Sequence, residues 1–247
     1  MTIAIIPARY GSSRLKGKPL IPVAGKPMIR RVYEQAKKAE HLSDVVVATD
    51  DVRVKNAVEA FSGKAVLTES DLSSGTDRVA RAAEILEIPG DEIVVNIQGD
   101  QPVFNPKCIA ELLRPFKEDR TINMSTLAYR IREEREITDP KDVKVTFDKN
   151  GYALYFSRAA IPYPRDKGTK AAYYKHLGFY AYRKDFLSRM ARLEKGYYED
   201  IEKLEQLKIL EYGFRIKIVI TAHDSPEVDL PEDIGRIESS HDSFQFE

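Results

Sequence analysis

Between Pro7 and Pro19 the chain sets Arg9, Arg14, Lys16 and Lys18 among Gly11, Ser12, Ser13 and Gly17, directly after a short apolar run. Backbone N–H groups and fixed cations in such a loop can hold a triphosphate and neutralise charge growing on leaving pyrophosphate. The loop is not a Walker A loop. Five residues separate Gly11 from Gly17, and Pro19 stands where Ser or Thr should follow the lysine. The other reading is a solvated basic loop; four cations straight after the first strand favour the phosphate site. Further on, Gln98-Gly99-Asp100 follows the apolar run Ile93 to Ile97. A carboxylate just past a buried strand can approach Mg²⁺, which typically takes one or two protein carboxylates and fills its shell with phosphate oxygens and water. A plain strand-ending turn explains the same residues. Asp229 precedes the proline-led segment Pro231-Glu232-Asp233, so by itself it reads as a helix-cap residue. Ser74-Gly75-Thr76-Asp77-Arg78 could hold a base or ribose and equally starts a helix. His176 alone reads as a structural histidine. No HExxH, GxSxG, GxGxxG or Cys–His arrangement is present.

The elements that must position these groups follow from periodicity. Ile3 to Ala8, Val45 to Ala48, Ala65 to Thr68 and Ile93 to Ile97 are near-continuous apolar runs, as parallel strands buried on both faces require. Met28 to Glu40, Val52 to Phe61, Thr76 to Leu86 and Pro106 to Phe116 carry apolar residues at helical spacing. Repeated strand–helix units predict an α/β, doubly wound, mostly parallel sheet of Rossmann-like type, with ligands beyond the carboxyl ends of its strands. The second half predicts mixed strands at Asp142 to Phe147, Ala153 to Ser157, His176 to Tyr182 and Arg215 to Ile220. A single helix is expected over Glu199 to Tyr212, and a last one opening at Pro231.

The 247 residues, 43% hydrophobic, suffice for one large domain with an elaboration. Lys plus Arg and Asp plus Glu are both 39, so the basic excess of a nucleic-acid binder is missing. Cys108 is the only cysteine, which excludes an intrachain disulfide and a thiolate zinc cluster. No stretch approaches the ~18 apolar residues of a membrane span, and the N-terminal run lacks the charge order of a signal peptide. No membrane partner is expected, and a cytoplasmic setting is.

Taken in order, several segments resemble the 3-deoxy-manno-octulosonate cytidylyltransferases, which make the CMP-sugar for lipopolysaccharide. They are PARYGSSRLKGKPL at 7–20, GKPMI at 25–29, VATD at 47–50, SGTDR at 74–78 and NIQGD at 96–100. GYALYFSRAAIP at 151–162, KHLGFYAYR at 175–183, EKLEQLK at 202–208 and VDLPEDI at 228–234 continue the series. The resemblance implies the nucleotide-diphospho-sugar transferase fold over 1–247. Residues 1–130 would be mainly nucleotide-binding, 131–220 a sugar-binding and dimer-forming elaboration, and 221–247 the metal-site aspartate and closing helix. It implies CTP contacts from Ala8, Arg9, Ser13, Arg14 and Lys18, and base or ribose contacts from Ser74, Arg78 and Gln98. Arg9, Lys18 and Asp100 would be catalytic, and Asp100 with Asp229 would bind Mg²⁺. Arg158, His176, Tyr182, Glu205 and Gln206 would line the site of the eight-carbon acidic sugar, with Arg158 on its carboxylate. A homodimer is the usual assembly.

Gln101, Leu230 and Lys208 depart from the commonest family pattern. Gln101 and the stretch 224–229 instead resemble the subgroup acting on 8-amino-3,8-dideoxy-manno-octulosonate, where an extra carboxylate would favour an ammonium. Rival readings are a nucleotidyltransferase for another sugar, such as sialic acid, and a catalytically silent nucleotide-binding homologue.

Overall fold

Alternate residues of the first strand face opposite sides of the sheet, and both sides are apolar. In the computed structural model, which describes residues 1–11, 15–166 and 168–240, Ala4 and Ile6 enter one core while Ile3 and Ile5 enter the other. A strand buried on both faces needs helices on both, and the chain supplies them.

The first half runs β1 (Thr2–Pro7), a 3-10 turn (Lys18–Leu20), the small hairpin β2 (Pro22–Val23) and β3 (Lys26–Pro27), and α1 (Met28–Lys37). Then come β4 (Asp44–Thr49), α2 (Val52–Glu59), β5 (Lys64–Leu67), α3 (Gly75–Ile85), β6 (Ile93–Asn96) and α4 (Lys107–Glu118). The second half holds β7 (Met124–Arg130), α5 (Glu134–Thr138), β8 (Lys144–Phe147), β9 (Ala153–Ser157), β10 (Tyr174–Arg183) and α6 (Lys184–Ala191). It closes with α7 (Tyr197–Glu202), α8 (Glu205–Glu211), β11 (Lys217–Thr221) and α9 (Pro231–Ser240). Strand order is β11-β7-β10-β6-β1-β4-β5, with β8 and β9 attached beside β10. β10 runs antiparallel to both β6 and β7, while β6, β1, β4 and β5 are mutually parallel. The expected mostly parallel mixed sheet is therefore present. α1, α2 and α4 pack on one face through residues such as Ile29, Val54 and Leu112; α3, α6 and α8 pack on the other through Val79, Leu187 and Leu207.

Two elements differ from expectation. β7, a strand in the middle of the sheet, has no counterpart in the sequence reading because Ser125 and Thr126 interrupt its apolar pattern. Both are buried and satisfied: Ser125 Oγ donates to Leu112 O (2.8 Å) and Thr126 Oγ1 donates to Phe179 O (2.6 Å). The single helix expected over Glu199 to Tyr212 is broken into α7 and α8. Lys203 takes a left-handed backbone (φ 54°), and Leu204 is extended. The break lets Leu204, Leu207 and Ile209 all enter the core and turns Glu205 and Gln206 into the first residues of a new helix.

Candidate active site

The carboxyl ends of β1 and β6 lie side by side, and the backbone there is held tightly. A Cβ on Gly99 would sit 2.8 Å from Pro7 O, so only glycine lets the turn after β6 pass this close to the end of β1. Asp100 follows at once. On the β1 side, Ala8 N donates to Ala48 O (2.8 Å), and Gly17 N closes the loop by donating to Tyr10 O (3.1 Å). Gly17 has φ +71°, a conformation glycine adopts freely, and it starts the short turn that presents Lys18.

A third segment completes the centre from far along the chain. Val228 N donates to Asp100 O (2.9 Å), which draws Asp229 alongside. Asp233, itself buried, accepts from the N–H groups of Asp229 (3.0 Å) and Leu230 (2.9 Å) and fixes the turn into α9. Lys18 Nζ lies 2.6 Å from Asp100 Oδ2 and 3.0 Å from Asp229 Oδ1. Burial draws the Lys18 pKa down, but the two carboxylates outweigh it and the net shift is upward, so the ammonium stays charged.

Two carboxylates thus converge on one cation, which is the oxygen-donor chemistry a hard divalent ion uses. Among the described residues no group of three or more His, Cys, Asp and Glu is arranged to hold a metal. Mg²⁺ needs fewer, because substrate phosphates and water fill its remaining positions. The pair fits that ion.

Beside this centre lies a cavity of about 270 Å³ lined by Gln98, Asp100, Arg158, His176, Glu205 and Gln206, among others. Its wall depends on an irregularity in β10. Pairing with β7 shifts between His176 and Tyr180, so three residues of β10 span one of β7. Gly178 sits in the bulge with φ +72°, and the bulged carbonyls are held by the turn after β6. Gln98 Nε2 donates to Gly178 O (3.1 Å) and Gln101 Nε2 donates to Leu177 O (2.7 Å). Thr126 Oγ1 spends its only proton on Phe179 O, so its 2.9 Å contact with His176 must be donated by the His176 Nε2–H. Nδ1 is left as an acceptor. Burial pushes the His176 pKa down to about 3, and the ring is neutral at ordinary pH.

Arg158 is steered by carbonyls: its Nε donates to Glu202 O (2.8 Å) and its Nη1 to Pro140 O (2.9 Å). Glu202 in turn accepts from Ser157 Oγ (2.6 Å) and Arg158 N (2.9 Å). Tyr180 donates to Gln206 Oε1 (3.1 Å), and Glu205 accepts from Thr76 N (3.4 Å).

Of the residues named from sequence, Lys18, Asp100 and Asp229 come together, and Gln98, Arg158, His176, Glu205 and Gln206 line the adjoining cavity. Ala8 is buried at the end of β1 and Arg9 is exposed just beyond it. Ser13 and Arg14 lie outside the described residues. Ser74 caps α3 by accepting from Asp77 N (3.0 Å). Two of the named residues are buried. Tyr182 is 1% exposed and stacked on Tyr180, which precedes it by two residues on the same face of β10 and lines the cavity. Arg78 is 2% exposed and locked: its guanidinium meets Asp50 (3.2 Å), Thr68 Oγ1 and Glu69 O (3.1 Å). Since Asp50 also accepts from Tyr10 N (3.4 Å), Arg78 braces the backbone just after β1.

Sequence reasoning passed over Lys141, Lys203 and Glu227, which also line the cavity. Lys203 could have been suspected from its place beside Glu205 and Gln206. Glu227 stands near Asp100 and Asp229. Loss of bulk solvent, then those two carboxylates, push its pKa upward against the pull of Lys18 and of the Gln101 hydrogen bond.

Comparison with known proteins agrees with this geometry. Residues 3–218 match the family model described as cytidylyltransferase. A 3-deoxy-manno-octulosonate cytidylyltransferase of Desulfatibacillum aliphaticivorans is 59% identical over 96% of this chain and 97% of its own. An 8-amino-3,8-dideoxy-manno-octulosonate cytidylyltransferase of Shewanella amazonensis is 52% identical over 95% of this chain and 96% of its own. A solved CMP:2-keto-3-deoxy-manno-octonic acid synthetase, complexed with CTP, superposes with a TM-score of 0.91 at 42% identity, covering 98% of each chain. The chain belongs to the cytidylyltransferase family, in the branch of the 3-deoxy-manno-octulosonate enzymes.

Proposed function

We propose that this protein transfers CMP from CTP to the anomeric hydroxyl of 3-deoxy-manno-octulosonate or its 8-amino analogue. The hydroxyl oxygen gives up its proton to solvent and bonds to the α-phosphorus, the bond from that phosphorus to the bridging oxygen breaks, and pyrophosphate leaves with the electron pair. The observation that carries this is the convergence of Lys18, Asp100 and Asp229 beside a cavity that Arg158 and Lys203 also line.

No covalent intermediate is needed, so positioning and charge stabilisation do the work. Arg9 and Lys18 bind the triphosphate and stabilise the charge that grows on the leaving group. Asp100 and Asp229 hold Mg²⁺, which supplies positive charge to the triphosphate when bound. Arg158, supported by Lys203, takes the sugar carboxylate, and neutral His176 offers Nδ1 to a sugar hydroxyl. Gln98 ties the nucleotide side to the sugar side through Gly178 O.

A homodimer fits the surface. Leu154 on β9 and Tyr197 and Ile201 on α7 are 62%, 71% and 65% exposed, and Tyr155 and Tyr198 bring these elements together with ring centroids 6.1 Å apart. A second copy would cover this apolar patch. No described helix is long and apolar enough to cross a membrane, and the lone cysteine is buried with its thiol pushed up to about 12. A reducing cytoplasm suits both. The deciding experiment is pyrophosphate release with CTP, Mg²⁺ and each sugar, each component omitted in turn. Release that needs all three supports the reading, and release with neither sugar rejects it. Light scattering on the eluting protein tests the dimer.

A further inference from the structure

The sugar cavity adjoins a second one of about 250 Å³, and the two share Lys141, His176, Glu227 and Asp229. Their electrostatics differ. Arg158 and Lys203 line only the first cavity. Around the second stand eight carboxylates against four cationic side chains. Most of those acids are already matched: Lys175, buried among them, reaches Glu136 (2.7 Å), Asp224 (3.0 Å) and Asp142 (3.8 Å).

Two carboxylates line both cavities, and they are not alike. Asp229 is paired with Lys18. Glu227 has no ion pair among the described residues; its side-chain partner is neutral Gln101, whose Nε2 donates to Glu227 Oε1 at 3.2 Å while also holding Leu177 O. Gln101 therefore fixes the carboxylate in place without neutralising it. Glu227 lines both cavities, so its carboxyl group can meet what enters there.

We propose that Glu227 is the specificity-determining residue of the sugar site, pairing with an ammonium on the octulosonate and selecting the 8-amino sugar over the 8-hydroxy sugar. The inference rests on the transfer reaction proposed above. Relatives named for either sugar match this chain at 52–59% identity, so general likeness does not choose between them. The two substrates differ by one charged group. Arg158, His176 and Glu227 line one cavity, so a sugar held there by its carboxylate can bring an ammonium to Glu227. An ammonium brings three donors and a positive charge to a carboxylate that lacks a cation; a hydroxyl brings one donor and no charge.

The test compares kcat and KM for both sugars in the wild type and in Glu227→Gln, which keeps size and hydrogen-bonding reach. The ratio of kcat/KM, amino sugar over hydroxyl sugar, is expected to fall at least tenfold, with the loss carried by KM of the amino sugar. An equal loss on both sugars would overturn the proposal and assign Glu227 to the reaction centre, and an unchanged ratio would overturn it too. Calorimetric binding of each sugar to the CTP-loaded protein makes the same comparison without turnover. Failure of the wild type to release pyrophosphate from either sugar, with the binding preference still lost in Glu227→Gln, would sink the transfer reading and leave the selectivity standing.

Discussion

The two halves of this molecule build their share of the site by different means. In the first half, functional groups follow directly from strand ends. Asp100 comes after β6 and the phosphate loop after β1, and the backbones touch so closely that Gly99 admits no Cβ. In the second half, the site rests on departures from regularity: a bulge in β10, a helix broken at Lys203, and a return segment that carries Glu227 and Asp229 beside Asp100. Regular strand ends position the groups proposed to handle phosphate and metal. The irregular features shape the cavity beside them.

The division is open to attack, starting where the effect is largest. Asp100→Asn should lower the rate of pyrophosphate release by about 10²–10³-fold or more, since it removes charge at the reacting centre. Asp229→Asn should cost as much; a loss of only severalfold would return Asp229 to a capping role and restore a clean split between the halves. Arg158→Ala should raise KM for the sugar by roughly tenfold or more, as loss of a charge-assisted pair would, with KM for CTP little changed. Equal rises in both would break the separation of the two substrates.

Smaller effects separate the two backbone devices. Gly99→Ala pushes a Cβ against backbone and should destabilise the fold by ~1–3 kcal/mol in thermal or urea unfolding. Gly178→Ala meets only side chains, Gln98 at 3.4 Å with Glu227 and Gln101 farther off, and should cost about 1 kcal/mol through its positive φ while raising KM for the sugar. The reverse ranking would move the structural weight to the bulge.

The last effect is a slope. The His176 pKa is pushed down to about 3 in the fold, below an unfolded value near ~6.5. Above that unfolded value it is neutral in both states and contributes nothing to pH dependence. As pH falls toward 3 the unfolded chain takes up a proton that the fold refuses, so stability drops by up to ~1.4 kcal/mol per pH unit. Replacing His176 with Gln should flatten urea-unfolding stability against pH across that window, and an unchanged slope would show that His176 takes up its proton in the fold.

How far the site is legible in the sequence follows the same division. The four β–α units of the first half were readable because doubly buried strands and amphipathic helices leave opposite periodicities, and the structure moves their ends by only a few residues. β7 escaped because Ser125 and Thr126 look like loop residues until the backbone carbonyls they bind are in view. The bulge in β10 is illegible for a related reason, since no local pattern marks the register shift between His176 and Tyr180. The Arg78–Asp50 pair is hidden because its members lie 28 positions apart.

The sequence by itself determined the sheet-and-helix class, the basic loop after the first strand, the acid after the Gly turn, and the motif order that marks the family. These are local facts, set by residue type and short spacing. Only the tertiary structure decided that Asp229 pairs with Lys18, that Tyr180 lines the cavity, and that Glu227, without an ion pair among the described residues, lines two cavities. Each depends on residues scores of positions apart meeting through hydrogen bonds and strand register, and no local pattern encodes such meetings.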